Sequence, residues 1–165
     1  MPHSAEQLFA RLEALAIAHH TVSHAPVFTV EEAKAHRGAL EGTHVKNLFL
    51  RNKKREMWLV VALEDRPIDL KALGRRLGAG NLSFGRPERL STHLGVEPGS
   101  VTPFALINDA ERLVRPVLDA RILERDPIHA HPLRNDMTTS IAGDDLLRFI
   151  RDCGHEPEIV DFDAS

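Results

Sequence analysis

The chain has 165 residues, of which 42% are hydrophobic and 27% charged, and its formal net charge is -3 with neutral histidines. This length and composition predict one folded domain over residues 1–165 and exclude extensive disorder. The net charge excludes a protein that coats nucleic acid indiscriminately, because such proteins are normally basic.

The cysteine content and the N-terminal sequence bear on the cellular compartment. A single cysteine, Cys153, cannot form an intramolecular disulfide or a multi-cysteine metal site. The sequence has no apolar run of the roughly 20 residues that span a bilayer, and its first residues lack the order of a signal peptide. We therefore expect a cytoplasmic protein that does not associate with membranes.

The first predicted elements are two short helices on either side of an extended segment. Ser4 and Gln7 form a capping box, which predicts a helix over residues 4–19. A short extended segment is expected around Val22. A second capping box predicts a short helix over residues 29–38.

The middle of the chain predicts a hairpin followed by a helix. Residues 44–51 and 57–63 are β-favouring apolar runs with a polar tip between them. Asp69 can cap a helix that continues to residue 77, where a Gly-Ala-Gly segment breaks it. Residues 82–84 are expected to form a short strand.

The remaining elements mix short strands and helices in an irregular order. Helices are predicted over residues 87–94 and 144–153, and Pro116 argues for a sheet edge or a bulge in its strand. Such an order favours a mixed α/β domain. The predicted strands cover residues 104–108, 114–118, 128–132, 138–141 and 159–162.

Ten histidines make a metal site the first chemistry to consider. His129 and His131 alternate on a predicted strand and would face the same side, as two ligands must. The sequence has no HExxH helix and no Gly-x-Ser-x-Gly, P-loop or dinucleotide-binding pattern. Cys153 lies in the last turn of an amphipathic helix, which favours a packing role. We therefore expect no metal and no cofactor, and keep a metal hydrolase only as an alternative.

Basic residues gather near the predicted hairpin tip and the start of a later helix. Composition alone favours solvated surface residues, and the alternative is contact with phosphate groups. The residues that we consider for phosphate contact are Arg51, Lys53, Lys54, Arg55 and Arg86.

Lys46 differs from these cations because it lies inside an apolar strand. By the two-residue period of a strand, Lys46 shares one face with Leu48 and Leu50. Asn47 shares the other face with Phe49. Polar groups in such a strand need partners if they are buried, although a lysine near a strand end can also reach solvent.

Four blocks of the sequence form one ordered set of motifs. They are THVKNLFL at residues 43–50, SFG at 83–85, GVEPGSVTPF at 95–104, and HPL at 131–133 followed by Asn135 and two threonines. Together these blocks resemble the YbaK/prolyl-tRNA-synthetase-associated domain family. The resemblance spans about residues 21–161 and implies a mixed α/β domain with a strongly curved, barrel-like sheet. One departure is Ala142-Gly143, where many members have Ser-Pro, and it concerns only the capping of the last helix.

The resemblance also implies roles for particular residues. Lys46 matches a lysine thought to engage the tRNA end near the scissile ester, and Asn47 matches a polar neighbour in an alanine-specific branch. His131 matches a histidine that shapes a small amino-acid pocket. A further loop would hold the aminoacyl end through its backbone groups, and it comprises Gly99, Ser100, Val101, Thr102 and Pro103.

The activity that the resemblance implies is trans-editing by an aminoacyl-tRNA deacylase, a carboxylic ester hydrolase. Its substrate would be tRNA(Pro) mischarged with alanine, with prolyl-tRNA synthetase as a further partner. The 2′-hydroxyl of the ribose and a bound water would replace a protein base and nucleophile. Two alternatives stay open: deacylation of cysteinyl- or seryl-tRNA, and a non-catalytic module that binds tRNA or a synthetase.

Overall fold

The computed structural model describes residues 2–25 and 41–163, so the helix expected over residues 29–38 lies outside the described residues. The described α-helices are α1 (Ala5–Ala14), α2 (Leu70–Leu77), α3 (Pro87–Leu94) and α4 (Gly143–Asp152). Short 3-10 helices cover Pro98–Ser100, Pro103–Asn108 and Ala120–Leu123. The strands are β1 (His19–Ser23), β2 (Thr43–Arg51), β3 (Met57–Leu63), β4 (Ser83–Phe84), β5 (Val114–Asp119), β6 (Ile128–Ala130), β7 (Met137–Ile141) and β8 (Glu158–Val160).

These strands form one mixed sheet in the order β1-β7-β6-β2-β3-β5-β8, and β4 pairs with β2. The β2/β6, β3/β5 and β5/β8 pairs are parallel, whereas the others are antiparallel. The mixed α/β class is therefore confirmed. The sheet is open in the described part of the chain, with β1 and β8 at its ends, and so it is not closed into a barrel.

The two faces of the sheet carry different hydrophobic cores. The larger core lies between one face and helices α1, α3 and α4, and it contains Phe104 and Phe149 with ring centroids 5.5 Å apart. The smaller core lies between the other face and α2, and it contains Leu50 and Trp58. Phe49 belongs to the larger core, so consecutive residues of β2 alternate between the two cores as the two-residue period predicts.

One edge of β2 is interrupted in the middle of the strand. On the edge away from β3, β6 pairs with Thr43 and His44, while β4 pairs with Leu50 and Arg51. No described strand pairs with residues 45–48 on this edge. We call this stretch the open edge of β2, and it includes Lys46 and Asn47.

Local capping signals account for the helices that were predicted correctly. A carboxylate oxygen of Asp69 accepts hydrogen bonds from the N–H groups of Lys71 at 3.0 Å and Ala72 at 3.3 Å, and α2 ends at Gly78 with φ +66°. Where Ala142 provides no side-chain cap for α4, Asp126 accepts a hydrogen bond from the Gly143 N–H at 2.8 Å. The departure at residues 142–143 is thus compensated by a carboxylate from a distant loop.

Two expectations about local structure are wrong. Helix α1 ends at Ala14 instead of near residue 19, because Ala16 adopts a left-handed φ of +57° and the chain turns into β1. Residues 104–108 form part of a 3-10 helix and not a strand. Pro103 begins that helix and Thr102 caps it, and a short apolar run by itself does not distinguish a strand from a buried helix.

Pro116 lies in β5, and the sequence predicts a sheet edge or a bulge at this proline. Pro116 pairs with β3 on one side, and the pairing of β5 with β8 starts only at Val117. The missing N–H of the proline therefore falls at a locally unpaired edge. No helix within residues 2–25 and 41–163 is both long and apolar enough to cross a membrane.

Candidate functional site

Lys46 projects from the open edge of β2 on the face of the sheet that carries the smaller core. Leu48, two residues further along the strand, packs against that core. Lys46 is half-buried, and its ammonium group donates a hydrogen bond to the backbone carbonyl of Arg66 in the loop after β3. The lysine thus has an intramolecular partner at the end of its side chain.

The loop that holds Lys46 is itself fixed by a buried ion pair. The guanidinium of Arg66 is 12% exposed and donates from Nε to the fully buried carboxylate of Asp119 at 2.6 Å. Its other nitrogens bind the exposed Asp163 at 3.0 and 3.1 Å. Hydrogen bonds with Asp163 and Asp119 raise the pKa of Arg66 above its ordinary value, so its charge is permanent.

A cavity of about 580 Å³ opens beside this loop, and His44 contributes to its wall. Its wall holds three arginines, Arg66, Arg121 and Arg125, but also four carboxylates, Glu64, Asp65, Glu124 and Asp163. With carboxylates in excess, the cavity does not favour a phosphate group. Lys46 differs from Arg66 and Arg121 of this cavity, because its ammonium group is held by a neutral backbone carbonyl and not by a carboxylate.

Histidines from β2 and β6 lie next to one another on the same face as Lys46. The parallel pairing aligns His44 with His129, and their rings stack with centroids 4.7 Å apart. The ring nitrogens of His129 lie 2.8 Å from the Ser140 hydroxyl and 2.7 Å from the Glu41 carbonyl. Within the described residues, no group of three or more His, Cys, Asp or Glu side chains is arranged to hold a metal ion.

His131 follows His129 by two residues and lies just after β6, whose last pair with β2 is His129 with His44. Its Nδ1 lies 2.9 Å from the Met137 carbonyl, which can only accept, so Nδ1 carries the proton and Nε2 presents a lone pair. Burial lowers the pKa of His131, and the ring is therefore neutral at pH 7. The ring of His24 lies beside it, with a centroid distance of 6.2 Å.

Asn47 projects from the opposite face of the open edge. Its neighbour two residues along, Phe49, belongs to the larger core. The side-chain oxygen Oδ1 of Asn47 is buried and has no hydrogen-bond partner among the described residues. An unsatisfied buried acceptor costs about 1–3 kcal/mol. This oxygen can therefore accept a hydrogen bond from a ligand that reaches the opening.

The loop at residues 99–103 lies on the Asn47 side of the sheet, since Val101 packs against the larger core. The Ser100 N–H donates to the Glu97 carbonyl at 2.8 Å, and this amide is therefore already engaged. The Thr102 hydroxyl accepts from the Phe104 N–H at 3.3 Å, and both Thr102 and Pro103 are buried. These two side chains support the loop, and the expectation that its backbone groups hold the aminoacyl end stays a prediction.

The basic residues of the hairpin lie at the end of β2 and in the turn after it. Arg51 pairs with Ser83 of β4, and from there β4 runs away from the tip towards the exposed Arg86. The side chain of Asn52 closes the tip by accepting from the Glu56 N–H at 2.9 Å. The exposed cations at the tip are Lys53, Lys54 and Arg55.

Sequence reasoning missed Arg66, Asp119 and His24. Asp119 ends an apolar strand, and a carboxylate at the end of a buried strand is a signal that it needs a buried partner. Neither the backbone carbonyl of Arg66 nor the contact of His24 has a local sequence signal, because both depend on how distant loops meet.

Comparisons with known proteins agree with this architecture. Residues 24–149 match the family described as the aminoacyl-tRNA editing domain. The prolyl-tRNA synthetase associated domain-containing protein 1 of Bos taurus is 42% identical over 160 residues, which cover 94% of this chain and 93% of the relative. The prolyl-tRNA editing protein ProX of Acetoanaerobium sticklandii is 35% identical over 151 residues, which cover 91% and 92%.

Solved structures share the fold. A crystal structure of a candidate trans-editing enzyme for prolyl tRNA synthetase superposes with a TM-score of 0.73 over 98% of this chain and 97% of that one, at 22% identity. Together with the sequence identities over nearly the whole length, the match over residues 24–149 shows that this chain belongs to the aminoacyl-tRNA editing domain family.

Proposed function

We propose that this protein is a trans-editing deacylase that hydrolyses the ester of alanine mischarged onto tRNA(Pro), releasing alanine and free tRNA. The observation that carries the proposal is Lys46, a half-buried cation at the open edge of β2 whose ammonium group is held only by a neutral backbone carbonyl among the contacts described. Family membership supports editing chemistry, and the relative named as a prolyl-tRNA editing protein supports tRNA(Pro) as the carrier.

The reaction needs positioning more than a strong nucleophile, because an aminoacyl ester is already activated. Lys46 exchanges its bond with the Arg66 carbonyl for a phosphate or hydroxyl of the terminal nucleotide. The backbone N–H groups of Gly99 and Val101 polarise the ester carbonyl. Water attacks the carbonyl carbon, the ester C–O bond breaks, and the ribose oxygen leaves with a proton relayed through the neighbouring 2′-hydroxyl.

The amino-acid pocket lies at the open edge of β2. The unpartnered Oδ1 of Asn47 accepts a hydrogen bond from the α-ammonium group of alanine. His131 lies across the opening and limits its size. A simple pocket discriminates between two amino acids that differ by one methylene by only about 10–200-fold. We therefore attribute the exclusion of the larger proline to a steric clash between its ring and the wall of the pocket.

Two partners follow from this proposal. The cations Arg51, Lys53, Lys54, Arg55 and Arg86 contact phosphates of the tRNA. Prolyl-tRNA synthetase is the second partner, because it supplies the mischarged tRNA, and the name of the Bos taurus relative refers to that enzyme.

The test is deacylation of a panel of purified tRNAs charged with alanine, proline, cysteine or serine. We expect hydrolysis of Ala-tRNA(Pro) and sparing of Pro-tRNA(Pro), with at least a hundredfold loss of rate in Lys46→Ala. Lys71→Ala, which removes an exposed lysine from α2, is the control and keeps the wild-type rate. Equal rates for Lys46→Ala and wild type would refute the role of Lys46.

The same panel separates the alternatives. Faster hydrolysis of the cysteine or serine ester would assign a different substrate to the same site. Binding of tRNA without turnover of any ester would favour the non-catalytic module, and its affinity would then fall with salt in proportion to the number of phosphate contacts.

A further inference from the structure

Phe84 is the most exposed large hydrophobic side chain of the described residues, with 61% of its surface accessible. A single exposed apolar residue is ordinary on a protein surface. The position of Phe84 is not ordinary, because it lies on the two-residue strand β4 beside the open edge of β2.

The backbone on both sides of Phe84 is held firmly. Phe84 pairs with Leu50 of β2, and the Gly85 N–H donates to the Phe49 carbonyl at 2.9 Å. Gly85 also packs so closely on the Phe49 ring that an added Cβ would lie 2.4 Å from it. The aromatic ring is therefore presented to solvent from a fixed backbone, which lowers the entropy lost when a partner binds.

Phe84 and Lys46 face the same side of the sheet. Directly paired residues share a face, so Phe84 lies on the face of Leu50, and Lys46 shares that face by the two-residue period. Lys46 and Leu50, the partner of Phe84, are four residue steps apart along β2, a distance of roughly 13 Å. The open edge of β2 includes Lys46 and extends towards Leu50.

An exposed cation lies close to the ring in the sequence. Arg86 is exposed two residues after Phe84, whereas Arg51, which pairs with Ser83, faces the opposite side of the sheet. An exposed aromatic ring beside a cation is an arrangement by which proteins hold single-stranded nucleic acid, with a base on the ring and a phosphate on the cation.

We propose that Phe84 is a stacking platform for an unpaired base in the single-stranded 3′ end of the tRNA, upstream of the aminoacylated nucleotide. Arg86 contacts an adjoining phosphate. This inference rests on the proposed function, since it places the terminal nucleotide at Lys46 and the preceding bases along β2 towards Phe84. The exposed cation two residues from the ring complements phosphate and favours RNA over an apolar protein partner.

The test measures the binding of two uncharged RNA hairpins to the full chain, one with a single-stranded 3′ extension and one blunt. We expect Phe84→Ala to weaken binding of the extended hairpin by about tenfold, within the range of one base stack, and to leave the blunt hairpin unaffected. Phe84→Trp keeps a stacking surface and restores affinity. Ile159→Ala removes a side chain of 45% exposure on β8, at the far end of the sheet, and changes neither affinity.

Deacylation kinetics complete the test. Under the proposal, Phe84→Ala raises KM for the charged tRNA about as much as it weakens hairpin binding, and it leaves kcat unchanged. If the wild type hydrolyses the ester and Phe84→Ala binds and reacts as the wild type does, the stacking inference alone is overturned. A wild type that hydrolyses no charged tRNA overturns the proposed function instead.

Discussion

The ion pair between Arg66 and Asp119 holds the loop that binds Lys46, and Asp119→Asn breaks it with little change of shape. Asp119 is fully buried and also accepts hydrogen bonds from the N–H groups of Leu63 at 3.2 Å and Arg121 at 3.0 Å. Breaking a buried pair by removing one charge costs about 3–5 kcal/mol. The asparagine keeps one acceptor oxygen, so we expect about 3 kcal/mol. For a chain of this size that lowers Tm by roughly 6–12 °C.

Urea denaturation followed by circular dichroism measures this change in the free energy of unfolding. The matched control is Asp163→Asn, which removes the exposed carboxylate from the same guanidinium and has a much smaller effect because solvent screens that pair. At a temperature where the Asp119→Asn protein is still folded, its deacylation rate should also fall, since the carbonyl that holds Lys46 is no longer fixed. Wild-type stability in Asp119→Asn would refute this account of the loop.

Three further predictions concern the rest of the molecule. Burial raises the pKa of Cys153 to about 12, so we expect iodoacetamide at pH 8 to label it far more slowly in the native protein than in urea. Although burial opposes ionisation, the contact of its carboxylate with His155 Nε2 at 3.2 Å and hydrogen bonds from two backbone N–H groups lower the pKa of Asp109. Its contribution to stability is therefore full above the unfolded pKa of about 3.9 and is lost as the pH falls below it, so the difference in unfolding free energy between wild type and Asp109→Asn should shrink between pH 6 and pH 3. Gly85→Ala pushes a methyl group into the Phe49 ring and should destabilise the fold by about 1–3 kcal/mol, measured by the same denaturation; an unchanged midpoint would contradict the close packing.

Elements with local signals were predictable from the sequence. The strand over residues 57–63 has its predicted bounds, and α2 and α3 begin and end at the predicted caps. Here the signal lies within a few residues: a side chain that caps a helix, a proline in the first turn, or a glycine that adopts a left-handed φ. The prediction of a strand over residues 104–108 is wrong because the apolar residues of this segment fit a strand and a buried 3-10 helix equally well.

The candidate site was predictable only in part, for a physical reason. The sequence and the family resemblance single out Lys46 and His131, and β6, which pairs with β2 as far as His44, ends one residue before His131. The partner of Lys46 is a backbone carbonyl, which no side-chain pattern reveals. Likewise, the engaged N–H of Ser100 follows from the 3-10 turn at Pro98–Ser100, whose hydrogen bond depends on backbone angles.

The open edge of β2 bears on how two adjacent residues could serve one ligand, as we propose. Consecutive side chains of a strand point to opposite faces, so inside a fully paired sheet Lys46 and Asn47 would be separated by a continuous layer of backbone. In the described part of the chain, no strand continues that layer beyond β2 between β6 and β4. Under the proposed function, a ligand at this edge meets the ammonium group on one face and the unpartnered amide oxygen on the other. The proposal thus uses the interruption in strand pairing to bring side chains of both faces to one ligand.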